Sequence, residues 1–371
     1  MAVRDAWAAM CDGKDGVPDM IDMDGIRENV IIDAWAGRFR RSPDQHNEPH
    51  ETDAELVEMP GEPERFLAIT IDTVSEEITE GVYRDPHTMG WVTAVASLSD
   101  LAAVGADPLG VVVSVSTTPD ADESFAQGVA EGLEYACRSH GVFILGGDTN
   151  TASTTSLTAC AVGLVPRERV LTRRGASPGD AVFLSGYAGT GNALGLARLS
   201  GLPDDAFLES EYRPTAELTM GRLLRGFASS CMDTSDGVFA TLDQMMRVNG
   251  AGFVLDCDCS RMLDPVVLDF CKRTETPQWL MAAGPHGEFR LLFTVSPEKV
   301  AGFLGAVQRE GLAPVSLGTV QEKKAVSVMT SAGTTVDVDV ARLRNLIYEV
   351  DGDMERFVRE FVEAGKRWGL E

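Results

Sequence analysis

Basic residues are scarce in this 371-residue chain. It carries 32 Lys and Arg against 57 Asp and Glu, which gives a formal net charge of -25 at pH 7. Such a negative field repels polyanions, so the composition argues against nucleic acid and anionic membranes as partners. We interpret the acidic excess as a source of solubility or an adaptation to salt, and in part as metal-binding carboxylates whose charge bound ions would cancel.

Long apolar runs are also missing. No stretch approaches the ~20 consecutive apolar residues of a transmembrane helix, and the first residues lack the apolar core of a secretory signal. The seven cysteines are odd in number and scattered, and Cys257-x-Cys259 has the wrong spacing for a zinc knuckle. In a strand, alternation would place both of these thiols on one face. We therefore expect reduced, structural thiols in a cytoplasmic protein.

Two common phosphate-binding signatures are absent. The sequence contains neither a Gly-x4-Gly-Lys-Ser/Thr loop nor the combined protein-kinase motifs. Phosphoryl transfer mainly needs positioning and cations that neutralise the phosphate oxygens. A chain rich in acidic residues can meet that need with several Mg²⁺ ions held by carboxylates.

One stretch, residues 97–108, organises the chain. Asp100 lies among helix formers, Gly105 is a natural left-handed helix stop, and Pro108 prevents the helix from continuing. The β-branched run that follows, residues 109–115, is typical of a buried strand. An isolated aspartate on a helix is most often a solvated surface residue, so Asp100 indicates a functional site only if other carboxylates lie beside it.

Further aspartates end or follow apolar runs in the same way. Ligands bind at the ends of strands in α/β proteins, and carboxylates gathered there without Lys or Arg would repel one another. Divalent cations bound to an anionic ligand would stabilise such a cluster. Each aspartate taken alone has an alternative role as a helix cap or turn residue. These aspartates are Asp72, Asp148, Asp233 and Asp236.

The first half of the chain has the pattern of an α+β domain with helices on one sheet face. Residues 42–64 are rich in Pro, His and acidic residues and predict a loop. The predicted strands are 67–72, 110–116, 142–145 and 158–165, and the predicted helices are 24–35, 91–104 and 122–139.

The second half has the pattern of an α/β unit. Residues 167–179 contain Pro and Gly punctuation and mark the expected boundary. The turn 186–191 is rich in glycine, which suits either phosphate binding at a helix N-terminus or close strand–helix packing. The predicted strands are 181–185, 252–256, 290–295 and 335–338, and the predicted helices are 193–199, 220–228, 237–248, 297–310 and 355–368.

The string Asp100-x4-Gly105-Ala106-x-Pro108 resembles the signature of the aminoimidazole-ribonucleotide synthetase superfamily. Within that superfamily the sequence is most similar to the thiamine-monophosphate kinase family, and the likeness covers most of residues 50–300. The other matching blocks follow in the family's order and at family-like spacing. They are Leu98-Ser99-Asp100, Gly146-Gly147-Asp148-Thr149, Arg173-Arg174-Gly175-Ala176-x-x-Gly179-Asp180 and Asp233-x-Ser235-Asp236-Gly237.

The resemblance implies a mixed α/β, two-domain architecture with an N-terminal sheet that forms a homodimer and a C-terminal α/β domain. It also implies ATP and Mg²⁺ as cofactors. The implied metal ligands are Asp53, Asp72, Asp100, Asp148, Asp233 and Asp236. The implied nucleotide contacts are Gly147, Asp148, Arg173 and Ser235, and the implied catalytic pair is Asp233 and Asp236.

The departures from the family pattern fall mainly in the acceptor half. Tyr83 replaces a family histidine, and residues 285–290 replace the family's Gly-Gly-Glu-Asp-Tyr-Glu block. The surroundings of Asp53 also differ from the family's first acidic site. We take Tyr83, His286 and Glu288 as candidate acceptor contacts, with a loop histidine and a solvent-facing glutamate as the alternatives.

The combined prediction is an ATP- and Mg²⁺-dependent phosphotransferase that moves the γ-phosphate to a small metabolite, itself phosphorylated or not, in an altered acceptor pocket. Alternatives are another ATP-using enzyme of the superfamily or a non-catalytic nucleotide-binding paralogue. The expected domains are an N-terminal extension, an ATP- and Mg²⁺-binding dimerisation domain, a C-terminal α/β domain and a C-terminal helix, at 1–45, 46–166, 167–345 and 346–371.

Overall fold

A computed structural model of the chain describes residues 25–203, 205–256, 259–330, 332–350 and 353–370. These residues form two mixed α/β units, each built on one sheet, so the predicted fold class is confirmed. The first 24 residues of the predicted extension and Cys257 lie outside the described residues. Cys259 begins a short 3₁₀ helix rather than a strand. None of the described helices is both long and apolar enough to cross a lipid bilayer.

The first sheet has five strands in the order β1-β2-β5-β3-β4, with β3 and β4 parallel and the other pairs antiparallel. Its strands are β1 (Glu55–Glu58), β2 (Arg65–Val74), β3 (Asp107–Thr117), β4 (Ile144–Thr151) and β5 (Ser156–Pro166). The predicted loop at 42–64 was wrong at β1, which pairs with β2 over four residues. The predicted strand 142–145 was placed too early, because β4 continues through Gly147 and Asp148.

Four helices accompany this sheet: α1 (Arg27–Ala36), α2 (Glu76–Thr79), α3 (Pro86–Ala103) and α4 (Glu123–Ser139). Helix α3 is buried along most of its length and packs closely against α4. A Cβ at Gly132 would lie 2.0 Å from the carbonyl oxygen of His87, so this approach requires glycine. Gly105, at φ +72°, ends the α3 segment as the sequence predicts. Asp100 is thereby held in the last turn of α3.

The other face of the first sheet is apolar and only partly buried. Side chains alternate along β5, so Ala159 and Ala161 face α3 while Cys160 and Val162 face away. The strand register places Ile69 beside Val162, and Val112 beside Cys160. We call this surface the outer face and define it by Leu67, Ile69, Ile71, Val112, Cys160 and Val162.

The second sheet has seven strands in the order β12-β11-β8-β10-β6-β9-β7. They are β6 (Ala181–Leu184), β7 (Ala228–Asp233), β8 (Gly252–Leu255), β9 (Leu291–Val295), β10 (Val315–Gln321), β11 (Val326–Met329) and β12 (Thr335–Val338). The helices of this unit are α5 (Thr190–Leu199), α6 (Leu218–Leu224), α7 (Val238–Asn249), α8 (Pro265–Thr274), α9 (Gln278–Ala283), α10 (Pro297–Arg309), α11 (Val340–Glu349) and α12 (Met354–Trp368). The predicted helix 220–228 was too long, because β7 begins at Ala228.

The two terminal segments of the described chain contact each other. The Arg344 guanidinium on α11 lies 3.3 Å from a Glu28 carboxylate oxygen on α1, and the Arg27 guanidinium lies 4.4 Å from the Tyr348 ring centroid. Helix α12 buries Phe357 and Phe361, and the Phe361 ring lies 6.0 Å from that of Trp279. Helices α1, α11 and α12 are therefore integral parts of the packed structure.

Candidate active site

Three aspartates that are distant in sequence meet between the two units. Asp53 precedes β1, Asp100 lies in the last turn of α3, and Asp233 is the final residue of β7. One carboxylate oxygen from each lies within 4.8 Å of the other two. Three such oxygens form the kind of hard donor set that Mg²⁺ prefers.

Two more of the predicted metal ligands face the same space. Asp72 on β2 and Asp236 in the loop after β7 line a cavity of about 570 Å³ together with the three clustered aspartates. We call this space the acidic cavity. Five of the six aspartates assigned to metal from the sequence are thus brought to one place.

Burial and mutual repulsion perturb these carboxyl groups. Burial, and secondarily Asp53, raises the pKa of Asp233 to about 7. Burial raises the pKa of Asp100 well above its ordinary value, and Asp72 and Asp233 add to the rise. Burial also raises the pKa of Asp72, although its hydrogen bond with Asp100 opposes this shift. The cluster disfavours its own ionised form, and a bound cation would reverse that preference.

Some oxygens at the cluster lack partners within the described chain. Oδ2 of Asp53 and Oδ2 of Asp72 are buried and accept no hydrogen bond there. Buried polar atoms in native proteins are nearly always satisfied, so an unpaired carboxylate oxygen calls for a ligand. These atoms and the carboxylate chemistry fit Mg²⁺, with Asp53, Asp72, Asp100 and Asp233 available to hold it.

Hydroxyl groups orient the clustered carboxylates. Ser99 on α3 donates to Oδ2 of Asp233 at 2.5 Å, and the Ser235 hydroxyl donates to Oδ1 at 3.2 Å. Thr70 on β2 donates to Asp100. Asp233 is therefore held by hydrogen bonds from both units of the chain. Sequence reasoning identified Ser235 and assigned no role to Ser99, although Ser99 lies in the Leu98-Ser99-Asp100 block. It also missed Thr70, which lies outside the matching blocks.

Arg173 lines the acidic cavity, but its guanidinium is already engaged. Its Nη2 and Nε lie 2.9 and 3.3 Å from Oδ1 of Asp53. Burial works to lower the pKa of Arg173, while Asp53 raises it and leaves a net increase. The structure therefore shows Arg173 holding Asp53 in the cluster. The predicted nucleotide contact would use its remaining donors.

Gly147 and Asp148 lie away from this cluster within one chain. Strands β5 and β3 separate β4 from β2, a distance of about 14 Å at ~4.8 Å per strand. Asp148 is exposed and accepts a hydrogen bond from Asn150 at 2.7 Å. A Cβ at Gly147 would lie 2.2 Å from the Val113 carbonyl oxygen, so close strand packing requires this glycine. The predicted grouping of Asp148 with the other aspartates does not occur inside a single chain.

A second cavity of about 300 Å³ adjoins the first. Glu28, Glu77, Asp236 and Arg344 line both cavities, and we call this set the junction. Elsewhere the second cavity is largely apolar and includes Leu196, Met281, Tyr348 and Phe357.

His286 is the one predicted acceptor contact that lines the second cavity. Burial lowers the pKa of His286 to about 4, so its imidazole is neutral at pH 7. Its backbone N–H donates to the Asn192 side-chain oxygen at 3.0 Å. A Cβ at Gly195 would lie 2.3 Å from the imidazole, so the ring packs directly against α5.

The other two predicted acceptor contacts, Tyr83 and Glu288, are turned into the packed interior. Glu288 Oε1 accepts from the backbone N–H groups of Gly189 and Gly191 at 2.9 and 2.6 Å, and Oε2 accepts from the Thr190 hydroxyl. Glu288 therefore caps the N-terminus of α5 and occupies the place that a phosphate would take in this glycine-rich turn. The structure thus favours the packing role for that turn.

Tyr83 is buried beside a second tyrosine. Its hydroxyl donates to that of Tyr212 at 3.4 Å, and Tyr212 donates to the Gly287 carbonyl oxygen at 3.0 Å. Burial raises the pKa of Tyr83 above its ordinary value. Tyr83 and Glu288 direct their polar atoms to internal partners in this arrangement, and contact of either side chain with the acceptor stays a prediction.

Comparison with known proteins agrees with the motifs. Residues 51–165 match the family model for the N-terminal domain of AIR synthase related protein, and residues 177–331 match that for its C-terminal domain. These matches cover well over half of the chain. The chain therefore belongs to the AIR synthase related family.

Within that family the chain is similar to thiamine-monophosphate kinases. The thiamine-monophosphate kinase of Escherichia coli (strain K12) is 32% identical over 264 residues, which cover 68% of this chain and 77% of the relative. The crystal structure of tt0281 from Thermus thermophilus has a TM-score of 0.71 at 26% identity, covering 81% of this chain and 96% of that one. AaThiL complexed with AMPPCP and TMP has a TM-score of 0.68 at 21% identity, covering 87% and 97%. The predicted superfamily and the class of ATP-dependent kinase are confirmed.

Proposed function

We propose that this chain transfers the γ-phosphoryl group of ATP, as its Mg²⁺ complex, to a small acceptor in the second cavity. The observation that carries this proposal is the cluster of Asp53, Asp100 and Asp233 in a cavity that opens onto a second, apolar one. Donor phosphates would lie in the acidic cavity, and the acceptor would approach through the junction.

Magnesium, when bound, would neutralise the phosphate oxygens that carry charge during transfer. Asp53, Asp72, Asp100 and Asp233 would hold the ions, and Ser99 and Ser235 keep Asp233 in its orientation.

Asp236 would act on the acceptor side. It lines the junction, and burial together with Glu28 raises its pKa to about 6, so it is mostly ionised at pH 7. It would hold the acceptor or a metal ion and require no proton transfer. Acceptors that are already phosphorylated need no general base for in-line attack on the γ-phosphorus.

Thiamine monophosphate is the first acceptor to test. AaThiL is known in complex with TMP, and the Escherichia coli relative is named for this substrate. Glu77 and Glu80 place negative charge on the wall of the second cavity, and Phe357 and Tyr348 offer aromatic surface. Such walls suit an aromatic cation that carries a phosphate.

The experiment is a turnover assay with ATP, Mg²⁺ and thiamine monophosphate, in which ADP formation and the phosphorylated product are both measured. We expect stoichiometric formation of both, and none when EDTA removes the metal. Binding of Mg²⁺·ATP without turnover would support a different acceptor. A purified, folded protein that binds no Mg²⁺·ATP would contradict the proposal.

We also propose that the chain forms a homodimer through the outer face. Val112 is 41% exposed, and its neighbours Cys160 and Val162 are half-buried on a contiguous apolar sheet surface. Contiguous exposed apolar patches of this kind mark interaction sites. A partner chain covering the outer face would remove this surface from water.

The predicted division at residues 166 and 167 stays a proposal as well. Its support is that the five-stranded sheet ends with β5 at Pro166 and the seven-stranded sheet begins with β6 at Ala181.

A further inference from the structure

The junction between the two cavities contains three carboxylates and one cation. Glu28, Glu77 and Asp236 supply the negative charge, and Arg344 is the one Lys or Arg among the described residues that line both spaces. An anionic phosphoryl group passing here would meet strong repulsion from these acids. Arg344 is therefore the side chain of this set that can attract it.

The Arg344 side chain is held in place yet keeps free donors. Its Nη1 donates to Oδ2 of Asp243 at 3.1 Å and to Oε1 of Gln244 at 3.0 Å, and its Nη2 donates to Oε2 of Glu28 at 3.3 Å. These bonds use three of the five N–H groups of the guanidinium. The side chain is 10% exposed, so its direction is set before any ligand arrives.

The second arginine near the metal cluster has a different position. Arg173 lines the acidic cavity alone and pairs with Asp53 through two nitrogens. Arg344 instead stands where donor and acceptor spaces meet. It comes from α11, which begins after the family-matched segment ends at residue 331.

We propose that Arg344 binds the terminal phosphate of ATP at the point where it passes to the acceptor. This inference rests on the proposed function. A guanidinium presents a planar pair of donors that matches two phosphate oxygens, and charge on those oxygens is the quantity that phosphoryl transfer must stabilise. Arg344 is then a nucleotide-discriminating residue that favours the triphosphate over the diphosphate.

The test compares two nucleotides and needs no acceptor. Titration calorimetry measures Mg²⁺·AMPPCP and Mg²⁺·ADP binding to the wild type and to the Arg344→Met, Arg344→Lys and Arg342→Met variants. Arg342 lies on the same helix and pairs with Glu360 at 3.4 Å, away from both cavities, so Arg342→Met is the matched control.

We expect Arg344→Met to weaken AMPPCP binding about 10- to 100-fold, the range of a lost charged hydrogen bond, while ADP binding changes by less than about threefold. Arg344→Lys retains charge without the planar fork and should show a smaller, equally selective loss. Arg342→Met should bind both nucleotides as the wild type does.

Equal weakening for both nucleotides would show a structural role for Arg344 and overturn the inference, as would unchanged AMPPCP binding. Thermal unfolding of each variant checks that it is folded, and Arg344→Lys decides the question should Arg344→Met not fold. A wild type that binds neither nucleotide rejects the proposed function itself, and this inference with it.

Discussion

Asp233 shows how single residues build this site. It ends a strand of the second unit, accepts a hydrogen bond from Ser99 of the first unit, and shares its space with Asp53 and Asp100. The same burial that raises the pKa of Asp233 to about 7 also leaves carboxylate oxygens without partners nearby. Binding of a cation at this site is therefore favoured.

Replacing Asp100 by Asn tests that preference. Asp100→Asn removes one charge from the cluster, so the metal-free variant should unfold at a higher temperature than the wild type. The rise in Tm on adding Mg²⁺ should fall to less than about half, because a ligand that binds only the folded state stabilises it by an amount that grows with the logarithm of its affinity. Thermal scans with and without Mg²⁺ measure both effects.

Asp269→Asn is the control for this comparison, because Asp269 is exposed on α8 and pairs with Arg273 outside the site. It should keep the full Mg²⁺-dependent shift. An Asp100→Asn variant with an unchanged shift would remove Asp100 from the metal ligands.

The pH dependence of stability follows from Asp233. Its pKa is 3.8 ordinarily and about 7 in the folded chain, so the folded state holds the proton more tightly than the unfolded state. The resulting stabilisation is fully present below pH 3.8 and is lost as the pH rises to about 7, on the order of 4 kcal/mol at most. Urea unfolding of metal-free protein between pH 5 and 8 should show this decline.

The Asp233→Asn variant should lose that part of the pH slope, since its amide does not titrate. Added Mg²⁺ should stabilise the wild type more at pH 8 than at pH 5, because metal and proton compete for the same oxygens. A wild-type slope identical to that of Asp233→Asn would refute the assignment of the proton to this residue.

Helix α3 is the element on which the site depends most. It carries Ser99 and Asp100, and its position is set by close contact with α4 at Gly90 and Gly132. A Cβ at Gly90 would lie 2.1 Å from the Val129 carbonyl oxygen. If α3 and α4 moved apart, Ser99 and Asp100 would move away from Asp233.

Gly132→Ala should therefore destabilise the protein by about 1–3 kcal/mol, the usual cost of overpacking. Urea unfolding monitored by circular dichroism measures the change. Gly305→Ala on α10 is the control, because the nearest atom to its added Cβ is 3.6 Å away and helix propensity favours alanine by up to about 1 kcal/mol. A neutral Gly132→Ala would show that α3 and α4 can separate freely.

Elements with a clear apolar period could be predicted, and others could not. Helix α4 was predicted at nearly its true bounds, strand β2 was predicted short at both ends, and helix α3 was predicted to begin at residue 91 instead of Pro86. Strand β7 was missed because it contains Ser229 and Ser230 where a typical buried strand has β-branched apolar residues. The hydroxyls of these serines form hydrogen bonds with Asp180 and Thr294. Strands β10 and β11 and helices α8, α9 and α11 were also missed.

The candidate site was predicted in the same uneven way. Aspartates after apolar runs identified most of the acidic cavity, because strand ends converge in this fold. The hydrogen bonds of Glu288 were not predicted, because its partners Gly189 and Gly191 lie almost a hundred residues earlier. The hydrogen bond between Arg344 and Glu28 joins opposite ends of the described chain, and no local sequence pattern predicts it.

At the scale of the whole molecule, the outer face is the apolar surface that we propose as the dimer interface. Val112→Asp places a charge on the β3 side of this face, beside Cys160, and should convert a dimer into a monomer, because a buried unpaired charge is costly. Light scattering coupled to size-exclusion chromatography measures the mass. Leu304→Asp, at an exposed position on α10, is the control and should leave the mass unchanged.

A wild type that is monomeric at every concentration tested, or a Val112→Asp variant that stays dimeric, would exclude the outer face as the interface. Nucleotide affinity should also be measured for Val112→Asp. A folded monomer with unaltered affinity would show that each chain holds a complete donor site.

The cap that Glu288 places on α5 has a consequence for how such enzymes diversify. The hydrogen bonds of Glu288 to Gly189 and Thr190 fix the loop that carries Glu288 to the start of α5. Substitutions in that loop are therefore a poor way to alter ligand preference. The second cavity takes Ile347, Tyr348, Met354 and Phe357 from the tail of the chain. Substitution of these four side chains alone would reshape the second cavity while Arg344 and the clustered aspartates stayed in place, a route from one substrate to another.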